Sequence, residues 1–177
     1  FEYLQKIAEE LKTGKLRYSD NLQIVGVSSD LQLLTEKPII YVFNASEKQI
    51  QNNWKPSQEL ISEIGVAPYA VISAKVEAEL VELSDEERKE YLQTLGLEKS
   101  GLERLIKIGY DTLGLITFFT TGEDETRAWT IPKNSIAPRA GRAIHSDFEE
   151  KFIRAEVIQW EQLFKAESWG RAREQGV

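Results

Sequence analysis

The sequence predicts an α/β domain followed by a smaller, incomplete α+β domain, and three observations support this. Residues 39–43 form a continuous apolar run, which is typical of a strand covered on both faces. Residues 56–64 have a helical pattern and lead to a second strand at residues 69–72, an order that predicts a parallel pair with a right-handed crossover. After Leu113 the pattern changes to hairpin, helix, strand and helix, so we place a domain boundary there.

Helix signals occupy much of the rest of the first domain. Residues 1–11 carry apolar side chains at helical spacing, and Gly14 ends that helix. Ser28 or Ser29 is a candidate cap for a short helix through Leu34.

Two later helices are predicted by capping boxes, in which a Ser is followed three residues later by a Glu. Ser84 and Glu87 form the first, which opens a helix running to about Leu95. Ser100 and Glu103 form the second, and the helix that follows carries its apolar residues on one side.

The second domain begins with a predicted hairpin. Residues 115–120 and 126–131 have strand patterns, and a turn lies between them. A helix at 137–144, a strand at 153–158 and a helix at 160–174 follow. This order suits a β-grasp fold, and the chain stops where that fold needs its last strands, so we expect a truncated domain.

Composition limits the possible functions. The chain has 177 residues, of which 41% are hydrophobic and 29% are charged, as in ordinary soluble domains. No run approaches the roughly 20 apolar residues of a membrane span. Cysteine is absent and His145 is the lone histidine, so we expect no metal site and no Ser-His-Asp triad. Methionine is also absent, so we expect a fragment or a processed form.

Charge is distributed unevenly. The net charge of −7 argues against a protein that coats nucleic acid. Residues 77–90 hold seven acidic residues and are interpreted as one solvated acidic helix. Residues 127–154 hold six basic residues, which form either a mildly basic solvated face or a localised RNA-facing surface.

A polar tetrad, Asn44-Ala45-Ser46-Glu47, follows the first strand. In open α/β sheets, ligands bind beyond the carboxyl ends of the strands. GTPases carry Asn-Lys-x-Asp at this place, where the Asn braces neighbouring loops and the Asp accepts two hydrogen bonds from guanine. Glu47 is one methylene longer than Asp, which predicts lost guanine selectivity and tolerance of adenine. The alternative is an ordinary polar loop.

Ser73-Ala74-Lys75 closes the second strand. In P-loop GTPases this tripeptide offers backbone N–H groups, chiefly that of the Ala, to the exocyclic oxygen of the base. The two motifs together favour a nucleotide-base site formed by Asn44, Glu47, Ser73, Ala74 and Lys75. The phosphate-binding motif Gly-x-x-x-x-Gly-Lys-Ser/Thr does not occur in the chain.

The second domain holds candidate RNA contacts, namely Arg139, Arg142, His145 and Lys151. The alternative for the cations is a solvated surface. The alternative for His145 is a tie between helix and sheet, with Ser146 or Asp147 as the helix cap. Five aromatic residues are interpreted as core rather than as a stacking platform: Trp129, Phe148, Phe152, Trp160 and Phe164.

Four strings of the second domain carry a family resemblance. They are Gly-Leu-Ile-Thr-Phe-Phe-Thr at 114–120, Arg-Ala-Trp-Thr-Ile-Pro at 127–132, Ile-His-Ser-Asp-Phe-Glu at 144–149 and Phe-Ile-Arg-Ala-Glu-Val at 152–157. With Asn44-x-x-Glu47, they make the chain resemble the YchF family, the Obg-like ATPases, over essentially its whole length. This family replaces Asn-Lys-x-Asp by Asn-x-x-Glu and prefers ATP.

The resemblance implies a P-loop domain interrupted by a helical arm and followed by a TGS-type β-grasp domain. Residues 1–33 would end the arm, residues 34–113 would be the C-terminal part of the nucleotide domain, and residues 114–177 would be a truncated TGS-like domain. It also implies ATP hydrolysis with Mg²⁺, ribosome association, a role in translation and a cytoplasmic location.

The family's P-loop, its Mg²⁺-holding Ser/Thr and its switch loops would precede Phe1. We therefore assign no catalytic or metal-binding residue to this chain, and we expect it to be inactive alone, because phosphoryl transfer depends on groups around the γ-phosphate. The rival interpretation is a non-enzymatic β-grasp adaptor that binds the ribosome or tRNA. A third and weaker interpretation is a TGS appendage of a synthetase or stringent-response enzyme.

Overall fold

The computed structural model describes residues 37–122 and 125–177, together with Gln5, Ala8, Glu9, Lys12, Thr13 and Leu34. The chain divides into two compact units, residues 1–113 and 114–177, at the position where the sequence predicts a boundary. The finer division of the first unit at residue 33 stays a prediction. Of the helix predicted over residues 1–11, Gln5, Ala8 and Glu9 are helical. Its other residues and the predicted helix before Leu34 lie outside the described residues.

The first unit contains a parallel pair of strands joined through helices, as predicted. Strand β1 (Tyr41–Asn44) pairs with β2 (Tyr69–Ile72), and Asn44 lies opposite Ile72. Helices α1 (Glu47–Gln51) and α2 (Gln58–Ile64) lie in the connection.

The burial of β1 differs from the prediction. Phe43 is half-buried and makes edge-to-face contacts with Trp54 at 6.2 Å and Tyr69 at 5.8 Å between ring centroids. Val42, on the other face, is 45% exposed. The prediction of a strand covered on both faces is therefore wrong at Val42. On the same face of the sheet, however, Ala70 of β2 is buried and Ile72 of β2 lies close to Gly101.

Three further helices follow: α3 (Ala74–Val81), α4 (Asp85–Thr94) and α5 (Gly101–Leu113). Both predicted capping boxes are present, since Ser and Glu exchange hydrogen bonds at Ser84 and again at Ser100. The acidic stretch at residues 77–90, which is interpreted as one helix, belongs to two helices. Helix α3 ends at Val81, and α4 begins after the Ser84 cap.

The core of the first unit lies between α3 and α4. Its buried residues are Val76, Leu80, Leu92 and Leu95. Helix α5 packs against β2, where Gly101 meets Ile72 and the Arg104 guanidinium donates to the Val71 carbonyl at 3.0 Å. A side chain on α5 thus satisfies a carbonyl that the strand pair leaves free.

The second unit contains the predicted hairpin. Strands β3 (Leu115–Thr121) and β4 (Thr126–Pro132) pair antiparallel, with Phe118 opposite Trp129. Helix α6 (Ala137–Ile144) has the predicted bounds and packs against β4 and against a short helix, α7 (Ser146–Glu150).

The strand predicted at 153–158 does not form. Residues 152–159 carry no regular secondary structure, and Ile153 and Val157 are 90% and 86% exposed. A strand requires a hydrogen-bonded neighbour, and none of the described strands pairs with this segment. The β-grasp arrangement is therefore not established; a hairpin with one packed helix is present.

The last predicted helix is interrupted. Helices α8 (Trp160–Ala166) and α9 (Trp169–Glu174) are separated by Glu167, which has a left-handed backbone conformation (φ 64°), and by Ser168, which caps α9. The core assignment of the aromatic residues is wrong for three of them, since Phe148, Trp160 and Phe164 are exposed.

Candidate functional site

An open pocket of about 450 Å³ lies beyond the carboxyl ends of β1 and β2. The structure thereby brings the two sequence motifs together, although more than twenty residues separate them along the chain. The residues that line the pocket are Asn44, Ala45, Ser46, Glu47, Lys48, Ser73 and Lys75. Its volume is within the range of small-molecule sites, roughly 300–1,000 Å³.

Asn44 connects the two halves of the pocket. It ends β1, and its side-chain Oδ1 accepts a hydrogen bond from the Ala74 N–H at 3.0 Å. The Ala45 N–H donates to the Ile72 carbonyl at 2.7 Å and continues the strand pairing into the loop. The Ala74 N–H, which the sequence assigns to a base, thus already has an acceptor within the protein.

The Ser46–Glu47 segment is fixed by the start of α1. Ser46 caps this helix in a capping box with Gln49, with the Ser46 N–H donating to Gln49 Oε1 at 2.8 Å. Glu47 is the first helical residue and is half-buried, and its carboxylate accepts from the Gln51 amide at 3.3 Å. A carboxylate therefore lines the pocket on a short, locally bonded helix.

Ser73 and Lys75 have different environments. Ser73 is 3% exposed and caps α3, its hydroxyl accepting from the Val76 N–H at 3.5 Å. Lys75 is exposed, and its Nζ lies 3.6 Å from Glu79 Oε1 on the next turn. Ser73 thus has a structural role, whereas Lys75 lines the pocket with an exposed side chain.

Tyr91 on α4 is a neighbour of this site that the sequence did not reveal. Its hydroxyl donates to Glu79 Oε2 at 2.6 Å. That hydrogen bond, followed by partial burial and the charges of Glu79 and Glu47, raises the pKa of Tyr91 to about 12. The sequence can indicate the ion pair of Lys75 and Glu79, because these residues are four apart on one helix. It carries no comparable signal for the contact of Tyr91 on α4 with Glu79 on α3.

The candidate RNA contacts lie together in the second unit, around α6 and α7. Arg142 and Arg139 approach the Glu149 carboxylate at 2.8 and 3.7 Å, and Lys151 approaches Asp147 at 3.0 Å. The two arginines also line a second pocket, of about 280 Å³, beside β4. Each of these three cations therefore already has an acidic partner.

His145 acts as a helix cap. Its Nδ1 accepts a hydrogen bond from the Asp147 N–H at 3.2 Å, and its ring meets that of Phe148 edge-on. A cap at this position was one of the two predicted alternatives, but His145 itself supplies it rather than Ser146 or Asp147.

Across residues 37–122 and 125–177 and the six isolated positions, His, Asp and Glu form no group of three or more that could hold a metal ion. No helix among these residues is both long and apolar enough to span a bilayer.

Comparison with known proteins gives concordant matches. Residues 115–177 match the family described as "YchF-GTPase_C: Protein of unknown function (DUF933)". The chain is 40% identical to the "Ribosome-binding ATPase YchF" of Bacillus subtilis (strain 168), covering 99% of this chain and 50% of that protein. It is 44% identical to the protein of the same name from Escherichia coli O157:H7, covering 82% of this chain and 40% of that protein.

A solved structure also matches. The Schizosaccharomyces pombe YchF GTPase aligns with a TM-score of 0.81 and 32% sequence identity, over 97% of this chain and 47% of that one. The chain thus spans about half the length of these relatives or less. Their names differ in the nucleotide, since the bacterial proteins are called ATPases and the fission-yeast protein a GTPase.

Proposed function

The chain belongs to the YchF family, and we propose that it supplies the base-binding pocket of a ribosome-associated ATPase. The observation that carries this proposal is the meeting of Asn44–Glu47 and Ser73–Lys75 around one pocket at the carboxyl ends of two parallel strands. Such an edge is where α/β sheets bind ligands. Relatives that are named ribosome-binding ATPases support the same assignment.

The hydrogen bonds at the pocket favour adenine over guanine. At C6 of the purine, guanine presents an exocyclic oxygen, which requires a donor, whereas adenine presents an amine, which requires an acceptor. The Ala74 N–H is engaged by Asn44, so it is not free to donate to a guanine oxygen. Glu47 lines the pocket, and its extra methylene misplaces the carboxylate for the paired guanine donors, while it can still accept from the adenine amine. We therefore propose ATP as the preferred nucleotide, with GTP tolerated.

The pocket residues bind and orient the base; they do not perform hydrolysis. ATP bound with Mg²⁺ would supply the phosphoryl group that is transferred to water. The acidic residues described here form no metal-binding group, so we assign the Mg²⁺ ligands to none of them. The proposed contribution of this chain is base selection, with the phosphate-binding groups supplied by a P-loop outside these 177 residues.

The first test compares ATP and GTP binding to the ¹⁵N-labelled chain by NMR titration. We expect ATP to shift the amide signals of Asn44, Glu47 and Lys75 and to bind more tightly than GTP. Glu47→Asp keeps the charge and the Ser46 cap, and it should move the preference toward GTP. Adding Ser46→Lys should move it further. Glu59→Asp in α2 makes the same chemical change and is the control. Equal ATP and GTP affinities before and after the change would refute this role for Glu47.

A second test examines the gene upstream of the codon for Phe1. A Gly-x-x-x-x-Gly-Lys-Ser/Thr motif between a strand and a helix would support the ATPase. An initiator methionine directly before Phe1 would instead favour the non-enzymatic adaptor.

We further propose that the α6–α7 face contacts the ribosome. Its three cations are paired with acids at present, and phosphate groups would replace those acids as partners. Reversing Arg139, Arg142 and Lys151 to Glu should weaken co-sedimentation with ribosomes, most clearly at low salt. Reversing Arg171 and Arg173 in α9 is the control for a general loss of positive charge. Unchanged binding in the triple variant would exclude this face.

A further inference from the structure

We infer that Tyr91 is a positioning residue of the base pocket and that it acts through Glu79 on Lys75. The inference rests on the proposed function of the pocket as a nucleotide-base site. Tyr91 lies on α4 and is not among the residues that line the pocket, so any influence on a ligand must pass through other side chains.

The two oxygens of Glu79 connect Tyr91 to the pocket. Oε2 accepts the Tyr91 hydroxyl at 2.6 Å, and Oε1 lies 3.6 Å from the Lys75 ammonium. Lys75 lines the pocket together with Glu47. A single carboxylate thus joins a side chain on α4 to a side chain at the ligand site.

The buried core holds Tyr91, and Tyr91 in turn restrains Glu79 and Lys75. Tyr91 packs against the buried cluster of α3 and α4, so its ring is held in place. The Lys75 side chain is 72% exposed, and a long exposed side chain has many rotamers to lose when it takes one position. An exposed ion pair by itself restrains such a side chain weakly. The short hydrogen bond from Tyr91 holds the Glu79 carboxylate in one orientation. The ammonium of Lys75 is therefore attracted to one fixed position.

The same group of side chains reaches both motifs. Glu47 lies near enough to the phenol of Tyr91 for its charge to contribute to the raised pKa of that group. Lys75 therefore lines the pocket together with the acidic Glu47 and is paired with Glu79, which lies outside the lining. Fixing Glu79 holds Lys75 on its own helix, where its aliphatic stem can cover a bound base.

The direct test measures Lys75 in the ligand-free 177-residue chain. NMR relaxation of the Lys75 side chain is compared between the wild type and Tyr91→Phe, which keeps the ring and removes the hydroxyl. We expect greater mobility of Lys75 in the variant. Tyr69→Phe, in which the hydroxyl is removed from β2, is the matched control. Unchanged Lys75 relaxation in Tyr91→Phe would overturn the inference whether or not a nucleotide binds.

The second measurement is ATP affinity in a double-mutant cycle. Ordering one flexible side chain corresponds to a factor of about two to ten in affinity, so Tyr91→Phe should weaken ATP binding by about threefold. In a Lys75→Met background the same change should have no further effect. Equal losses in both backgrounds would mean that Tyr91 acts through the fold and would overturn the inference.

The two measurements separate the two proposals. A mobile Lys75 in Tyr91→Phe, with no ATP binding to the wild type, would support the positioning network and reject the base site. ATP binding that Tyr91→Phe does not change would retain the base site and reject the inference. Glu79→Gln, which keeps an acceptor but loses the charge, should also release Lys75 and is a second variant if Tyr91→Phe does not fold.

Discussion

At the scale of single residues, the pocket depends on short polar side chains that bond to backbone. Asn44 reaches from the end of β1 to the Ala74 N–H, and Ser73 caps the helix that Ala74 begins. These bonds place two loops against each other with little side-chain entropy to lose, because Asn and Ser are short. The sequence predicts these residues as part of a base site, but it does not indicate that Asn44 takes the amide expected for a base.

Asn44→Ala should destabilise the first unit by about 1 kcal/mol, the usual net value of one hydrogen bond. The reason is that the Ala74 N–H loses its acceptor. Urea unfolding followed by circular dichroism measures the change. Asn44→Asp keeps an oxygen at the same position and should remain within a few tenths of a kcal/mol of the wild type. A loss as large in Asn44→Asp as in Asn44→Ala would show that the amide nitrogen, and not Oδ1, is the important group.

At the scale of elements, helix starts are set locally and helix packing is set by close approach. The boxes at Ser84 and Ser100 are each completed within four residues, and both were predictable. The packing of α5 on β2 requires a position without a side chain, since a Cβ on Gly101 would lie 2.7 Å from Ile72 Cγ2. A sequence shows the glycine there, but not the neighbour that excludes larger residues.

Gly101→Ala should therefore destabilise the first unit by about 1–3 kcal/mol, the usual cost of overpacking. Gly109→Ala in the same helix is the matched control. A Cβ there meets nothing within 4 Å, and alanine should stabilise the helix by about 0.5–1 kcal/mol. Thermal and urea unfolding of the two variants give opposite signs if the packing is as described. The same sign in both would contradict the close contact between Gly101 and Ile72.

The capping box at Ser84 should make the free energy of unfolding depend on pH in the acidic range. Hydrogen bonds from the Ser84 side chain and backbone hold the pKa of Glu87 below its ordinary value of 4.5. A lowered pKa in the folded state means that the stabilisation is present above pH 4.5 and is lost as the pH falls through the folded value. Glu87→Ala should lower the unfolding midpoint at pH 7, and the difference from wild type should shrink toward pH 3.

Glu86→Ala is the control for the Glu87 prediction. It removes a carboxylate from the same first turn, but that carboxylate has no hydrogen-bond partner within the part of the chain that the structure describes. A pH dependence equal in both variants would assign the effect to helix-dipole charge rather than to the capping box.

At the scale of the whole molecule, both units expose apolar side chains, and the second exposes more of them. The first has a buried cluster between α3 and α4, and its described apolar side chains that are more than half exposed are Leu34, Val66, Val81, Ile106 and Leu113. In the second, the described apolar side chains that are more than half exposed are Phe119, Ile136, Phe148, Ile153, Val157, Trp160, Phe164 and Val177. Exposed apolar surface of this extent favours association.

The chain should therefore associate as its concentration rises, and analytical ultracentrifugation measures this directly. Changing Ile153 and Val157 to Lys should weaken association, because both side chains are exposed in an extended segment without a strand partner. Val66→Lys, at an apolar residue of the first unit that is 82% exposed, is the control. Association that the control reduces as strongly as the double variant would point to net charge rather than to this segment.

Local sequence was sufficient to predict the features that a few neighbouring residues decide. These are the two capping boxes, the hairpin, the helix at Ala137–Ile144, the strand-helix-strand order and the family. Each depends on turn chemistry, side-chain period or a long specific string. The resemblance includes the sequence motifs that line the pocket, but it does not indicate the hydrogen bonds between them.

The packing of the chain set the features that depend on residues far apart in the sequence. It engaged Asn44 with Ala74, joined Tyr91 to Lys75 through Glu79, and left residues 153–158 without a strand partner. A strand gains its hydrogen bonds only from a neighbour, and a polar side chain takes whichever partner packing brings within about 3 Å. The neighbour of a strand and the partner of a polar side chain both come from segments that are distant in the chain. Local sequence does not specify where those segments pack.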